Sequence, residues 1–166
     1  MSPFEILLIL ANRVLIEPTA FIKELTIAKA QGLAINEKTL GVDFRCQLIM
    51  PWHIKQDGAK EVQPGAIGTT KKGIGPAYSD AYARTGIRIC DLLSLHFGSK
   101  LREMCDEKNE DYDTLVAVLK QFRHEIQPFV CDVSKEVNHA IDTNQRVLLK
   151  ALKQLFSTFV SELTRS

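Results

Sequence analysis

Residues 6–42 read ILLILANRVLIEPTAFIKELTIAKAQGLAINEKTLGV. Residues 6 to 10 and 14 to 16 are rich in Ile, Leu and Val, the composition of buried strands. Pro18 stands where a first helical turn tolerates it, and Gly32 where a helix stops. Between them Phe21, Ile22, Leu25 and Ala28 recur at helical spacing, so 18 to 31 reads as an amphipathic helix with start and stop signals. Thr39 to Val42 offers a further short strand. The run Ile6 to Leu10 is too short to span a membrane, has no basic residues before it, and is interrupted by Asn12 and Arg13, so it reads as a strand and not as a signal peptide.

Further along, Leu48 to Lys55 reads as a helix with Pro51 in its first turn. Residues 57 to 80, DGAKEVQPGAIGTTKKGIGPAYSD, hold five of the nine glycines and read as one long loop. From Asp91 onward the chain is helix-rich. Leu115, Val118, Leu119, Phe122 and Ile126 make one helical face that ends before Pro128. Asp132 or Ser134 can cap the next helix, which carries Val137, Ala140 and Ile141. Thr143 and Asn144 break it, and Arg146 to Leu149 reads as a strand. Leu152, Leu155, Phe156, Phe159 and Val160 then follow a helical period. Helices alternating with short apolar strands argue for an α/β fold, or part of one.

At 45% apolar and 25% charged residues the 166-residue chain has the composition of a soluble globular protein. A net charge of +1 gives no general attraction to nucleic acid or acidic lipid, so any anion must be held by a local site. The four cysteines, Cys46, Cys90, Cys105 and Cys131, form no CxxC pair and read as reduced thiols. His53, His96, His124 and His139 have no carboxylate or cysteine at ligand spacing and read as core or surface residues. Trp52 reads as a packing residue.

The segment Gly68-Thr69-Thr70-Lys71-Lys72-Gly73-Ile74-Gly75-Pro76 carries the chemistry. Its glycines let the backbone approach an anion, its threonines donate hydrogen bonds and its lysines bring charge. Gly68 and Gly73 have the GxxxxG spacing of a phosphate-binding P-loop, but Ile74 stands where that motif requires Lys. Gly73-Ile74-Gly75 lacks the third glycine of a dinucleotide fingerprint. Residue chemistry alone leaves two readings open, an anion-binding loop and a flexible basic loop with solvated lysines.

Residues 67 to 93, IGTTKKGIGPAYSDAYARTGIRICDLL, resemble the signature region of adenylosuccinate synthetases, and the paired lysines resemble its animal-type version. Weaker similarity extends both ways. LILANRVLIEP (8 to 18) resembles the family's IGNGVVIDP, with Ala11 and Arg13 replacing its glycines. VDFRCQLIMPWH (42 to 53) is similar to SDRAHLVLPYH, and 126 to 149 resembles RPYVADTSALLNEAL followed by RVLFEGAQG. The resemblance runs over about residues 6 to 150, leaving 151–166 as a divergent tail.

It implies part of a single large α/β domain with a central, mostly parallel sheet. It also implies a cytoplasmic, homodimeric ligase of AMP biosynthesis that acts on IMP, GTP and L-aspartate, with no nucleic-acid or membrane partner. That family transfers the GTP γ-phosphate to O6 of IMP, and the aspartate amine then displaces the phosphate; Mg²⁺ offsets the developing charge. By position, Thr70 would bond the IMP phosphate and Arg84 would reach the partner subunit's IMP. Thr69, Lys72, Gly73 and Arg88 would belong to the substrate loop, although Arg88 could equally brace it. The departures are as informative. The family's GDEGKGK loop with its catalytic Asp, its later catalytic His, its Mg²⁺ ligands and its guanine-recognition part have no counterpart in these residues. Ala81 replaces a lysine, and the EGAQG step reads Lys150-Ala151-Leu152-Lys153. The resemblance therefore implies a segment inactive by itself, or a non-catalytic relic that keeps a dimerisation and IMP-phosphate surface.

Overall fold

The computed structural model describes residues 7–60 and 71–150. At its centre is β1 (Leu7–Leu10), which runs parallel to β3 (Leu40–Asp43) on one side and to β6 (Val147–Lys150) on the other. Beyond β3 lies the short β5 (Val130–Cys131), also parallel, so the strand order is β5-β3-β1-β6. Every side chain of β1 is buried. Leu8 and Leu10 enter the main core, whereas Leu7 and Ile9 pack with Val133 on the opposite face. A strand covered on both faces needs an unbroken apolar run, which explains why 6–10 shows no alternation.

The main core is roofed by α1 (Pro18–Ala30) and α6 (Tyr112–Ile126), with α4 (Ile89–Leu93) and α5 (Phe97–Lys108) completing that layer. Phe21 of α1 meets Phe122 of α6 edge to face, with ring centroids 5.7 Å apart. The start of α1 is set by Glu17, whose carboxylate accepts the N–H groups of Thr19 and Ala20, with Pro18 in the first turn. Asp111 caps α6 by accepting the Thr114 N–H at 3.0 Å. On the other face of the sheet lies α7 (Val133–Asp142), capped by Asp132, which accepts the Ser134 N–H at 3.1 Å. Helices on both faces of a parallel sheet make this an α/β fold, as the alternation of elements implies.

Beside the sheet, β2 (Leu15–Ile16) pairs in parallel with β4 (Gln47–Leu48) and forms a small ledge. From it, α2 (Pro51–Lys60) and α3 (Ile74–Ala83) project, and Ala77 of α3 packs against Leu15 and Ile49. Two expectations are corrected here. Residues 57 to 80 are not one loop, because α2 continues to Lys60 and α3 begins at Ile74. Nor does the helix start at Leu48, which is strand; it starts at Pro51, whose missing N–H suits a first turn. The glycine-rich composition hid α3, since its buried face is carried by Pro76 and Ala77 and not by a long apolar stripe. The helical period noted for 151–166 lies outside the described residues.

Candidate functional site

The strand order reverses between β1 and β6, and in open parallel sheets ligands bind outside the carboxyl ends of the strands at such a point. The carboxyl end of β1 leads into residues 11–13. The replacement of the family's glycines there by Ala11 and Arg13 meets no backbone obstacle, because neither adopts a positive φ. The Tyr78 hydroxyl donates to the Arg13 carbonyl at 3.1 Å, which ties α3 to this turn.

Lys71 and Lys72 approach the same place. Leu10 and Val14, Lys71 and Lys72 all border one cavity of about 230 Å³. Its walls are mostly apolar, among them Ile16, Phe21 and Ile49, with Glu17 and Glu24 as its carboxylates. An anion would be drawn to the lysine rim and repelled by the carboxylates, so the interior is not where a phosphate belongs. Both Lys71 (φ 52°) and Gly73 (φ 71°) are in the left-handed region. Two such residues in three make a sharp turn, and its Gly73 N–H is already taken up by the Asp57 carboxylate.

Behind this turn stands α2. A Cβ on residue 73 would lie 2.8 Å from the backbone carbonyl carbon of His53 and the backbone nitrogen of Ile54, so only glycine allows the contact. Asp57, 5% exposed, accepts the Gly73 N–H at 3.0 Å. His53, 1% exposed, accepts the Met50 N–H at Nδ1 (2.9 Å) and lies 3.1 Å from Asp80 through Nε2. A nitrogen that accepts carries no proton, so the imidazole is neutral and its Nε2–H donates to Asp80. Burial holds its pKa below the ordinary histidine value, against the opposing pull of Asp80. Sequence reading placed His53 among core or surface residues. The structure puts it in the core, with a polar task that only its pairing with a residue 27 positions away reveals.

Arg84 terminates α3 in the left-handed conformation (φ 62°), and the N–H groups of Thr85 and Gly86 bond back to the Asp80 carbonyl at 2.9 and 3.2 Å. It is exposed, next to Tyr82 at 75% exposure. The ten residues of α3 span about 15 Å, so Arg84 and the Lys71–Gly73 turn face different surroundings. Arg88 is engaged by Asp91, with Nε 3.2 Å from Oδ2 and its own N–H bonded to the same carboxylate at 2.9 Å, which braces the start of α4. Thr69 and Thr70 lie outside the described residues.

Sequence reading missed a second polar centre. Asp43, fully buried at the carboxyl end of β3, accepts Arg45 Nε and its terminal nitrogen, both at 2.8 Å, and the Val133 N–H at 3.3 Å. Burial pushes this carboxyl up, but the Arg45 and Val133 bonds together bring it below its ordinary value. A charged residue closing an apolar strand, with an arginine two positions on, was the available signal. Burial raises the Cys46 thiol strongly and pushes Cys131 up to about 11, so both stay protonated at neutral pH. All four cysteines are free. Among the described residues, no three His, Cys, Asp or Glu side chains gather as metal ligands would. None of the helices there is long and apolar enough to cross a membrane.

The fold and this crevice define a parallel α/β protein with a lysine-bearing turn at its switch point. The adenylosuccinate synthetase family model matches residues 4–155, and the chain belongs to that family. It is 37% identical over 155 residues to the adenylosuccinate synthetase of Clostridium novyi, which covers 86% of this chain and 36% of the relative. To that of Brevibacillus brevis it is 40% identical over 156 residues, with the same coverage. Among solved structures it is similar to fully ligated adenylosuccinate synthetase from Plasmodium falciparum, with a TM-score of 0.73 at 24% identity over 85% of this chain and 35% of that one. The chain thus spans little more than a third of the length of the relatives it matches.

Proposed function

We propose that this segment supplies the IMP-phosphate loop and a subunit-bridging arginine of a ligase that joins L-aspartate to IMP at the expense of GTP. The observation that carries the reading is the left-handed turn of Lys71 and Gly73, with Lys72 between them, at the carboxyl end of β1. In this reading Thr70 bonds the IMP phosphate, with Thr69, Lys72 and Gly73 beside it. Arg88 would have to leave Asp91 to take part, so it ranks behind them. Arg84 serves the partner subunit of a cytoplasmic homodimer, and its separation from its own loop along α3 favours that assignment. A guanidinium suits the role because it stays charged and grips phosphate oxygens in a fork. Phosphate placed on O6 of IMP would convert a poor leaving group into a good one, and the aspartate amine would then displace it at C6. Mg²⁺ would offset charge on the transferred phosphoryl group. The described residues offer no ligand set that fits it, and no role here depends on it.

A second reading is a non-catalytic dimerisation and IMP-phosphate surface. The decisive experiment places this segment in a full-length synthetase of the family and replaces Arg84. Arg84→Leu is expected to weaken IMP binding by about 2–4 kcal/mol, as for truncating one side of a partly buried charge pair, and to leave GTP binding unchanged. Unchanged IMP affinity, measured by calorimetry, would count against the assignment.

A further inference from the structure

We propose that Asp57 and His53 are positioning residues: from α2 they clasp α3 at two points and so hold the Lys71–Gly73 turn and Arg84 in the geometry that receives a phosphate. The inference rests on the functional reading above and adds to it two residues that touch no substrate. Asp57 and His53 lie four apart on one face of α2. One holds the residue that begins α3, through the Gly73 N–H at 3.0 Å. The other holds the last full turn of α3, through Asp80 at 3.1 Å. Asp80 in turn accepts, at its carbonyl, the N–H groups that close the helix around Arg84.

Packing alone does not call for these groups. A carboxylate with 5% exposure is costly to bury, and an apolar side chain would fill the same space more cheaply. What an aliphatic residue could not do is fix the direction of one backbone N–H directly after a lysine pair. The turn needs such fixing, because Lys71 is a non-glycine residue at φ 52°. Strain of this kind persists only where the surroundings over-determine the backbone. The Asp57 bond and the close contact of Gly73 with the His53 backbone are that restraint.

The test has two arms. In the 166-residue chain, Asp57→Ala should speed hydrogen exchange at the Gly73 amide by about tenfold or more while α6 amides stay unchanged. In a full-length synthetase carrying this segment, Asp57→Ala should raise KM for IMP about tenfold and change KM for GTP by less than about twofold. Asp57→Asn keeps an acceptor oxygen and should recover most of the IMP affinity, which a purely structural charge would not predict. Should Asp57→Ala fail to fold, His53→Asn carries the test. Its shorter amide keeps an acceptor for the Met50 N–H but withdraws from Asp80, and the same IMP-selective rise is expected. Equal losses toward IMP and GTP, or Asp57→Asn as damaging as Asp57→Ala, would overturn the proposal. So would an unchanged Gly73 exchange rate. If Arg84→Leu leaves IMP binding intact while Gly73 exchange responds to Asp57, the clasp stands and the functional reading falls.

Discussion

His53 is buried with one ring nitrogen on a backbone N–H and the other on a carboxylate, which leaves no room for a second proton without breaking the Met50 bond. Its folded pKa is depressed, chiefly by burial, below the ordinary 6.5. The folded state therefore resists protonation while the unfolded state accepts it. Stability is full above about pH 6.5 and falls as the pH drops below that value, levelling off below the folded pKa. The thermal midpoint should accordingly decline between neutral and mildly acidic pH, and His53→Asn should flatten that decline. A slope that survives in His53→Asn would assign it to another group. Gly73 makes an equally local demand. Gly73→Ala must accept φ 71° and a Cβ 2.8 Å from backbone atoms that cannot swing aside. The loss expected in urea unfolding is about 2 kcal/mol or more, combining left-handed strain with overpacking.

Among elements, α1 and α6 meet through Phe21 and Phe122, and Phe122 is completely buried. Phe122→Ala should destabilise by about 3–5 kcal/mol, the range for emptying an aromatic site in a core. Chemical denaturation checks this, and a loss below about 1 kcal/mol would mean that the two helices close the gap. Two helix starts were legible because local chemistry sets them, Pro18 for α1 and Asp132 for α7, whereas the start of α6 at Asp111 went unread. Glu17 and Pro18 open α1, Asp111 opens α6 and Asp132 opens α7, each within three residues of the N–H it satisfies. The limits of α2 and α3 were not legible. Neither carries a long apolar stripe, and they are placed by the β2–β4 ledge and by each other.

The resemblance implies no counterpart among these residues for the family's catalytic Asp and His, and the chain spans 36% of the length of the relatives it matches. The 166-residue chain should form no adenylosuccinate from IMP, GTP and aspartate. Product dependent on all three would sink this. If the full-length enzyme is the proposed homodimer, mixing Arg84→Leu subunits with subunits inactivated at the catalytic Asp should restore some activity. A mixed dimer would unite one intact centre with one intact arginine. No recovery, with subunit exchange demonstrated, would place Arg84 in its own subunit.

Local rules and a long specific motif were enough for the class of fold, the strands β1 and β6, the starts of α1 and α7 and the membership implied by residues 67–93. Strand burial, capping and helical period are short-range, and each leaves its trace within a few residues. Tertiary structure decided everything that depended on distant partners. Asp43 meets Val133 across 90 positions, His53 meets Asp80 across 27, and Asp57 finds Gly73 across 16. None of these pairs has a signature in the chain, because a buried polar group is defined by what the fold brings to it and not by its neighbours in sequence.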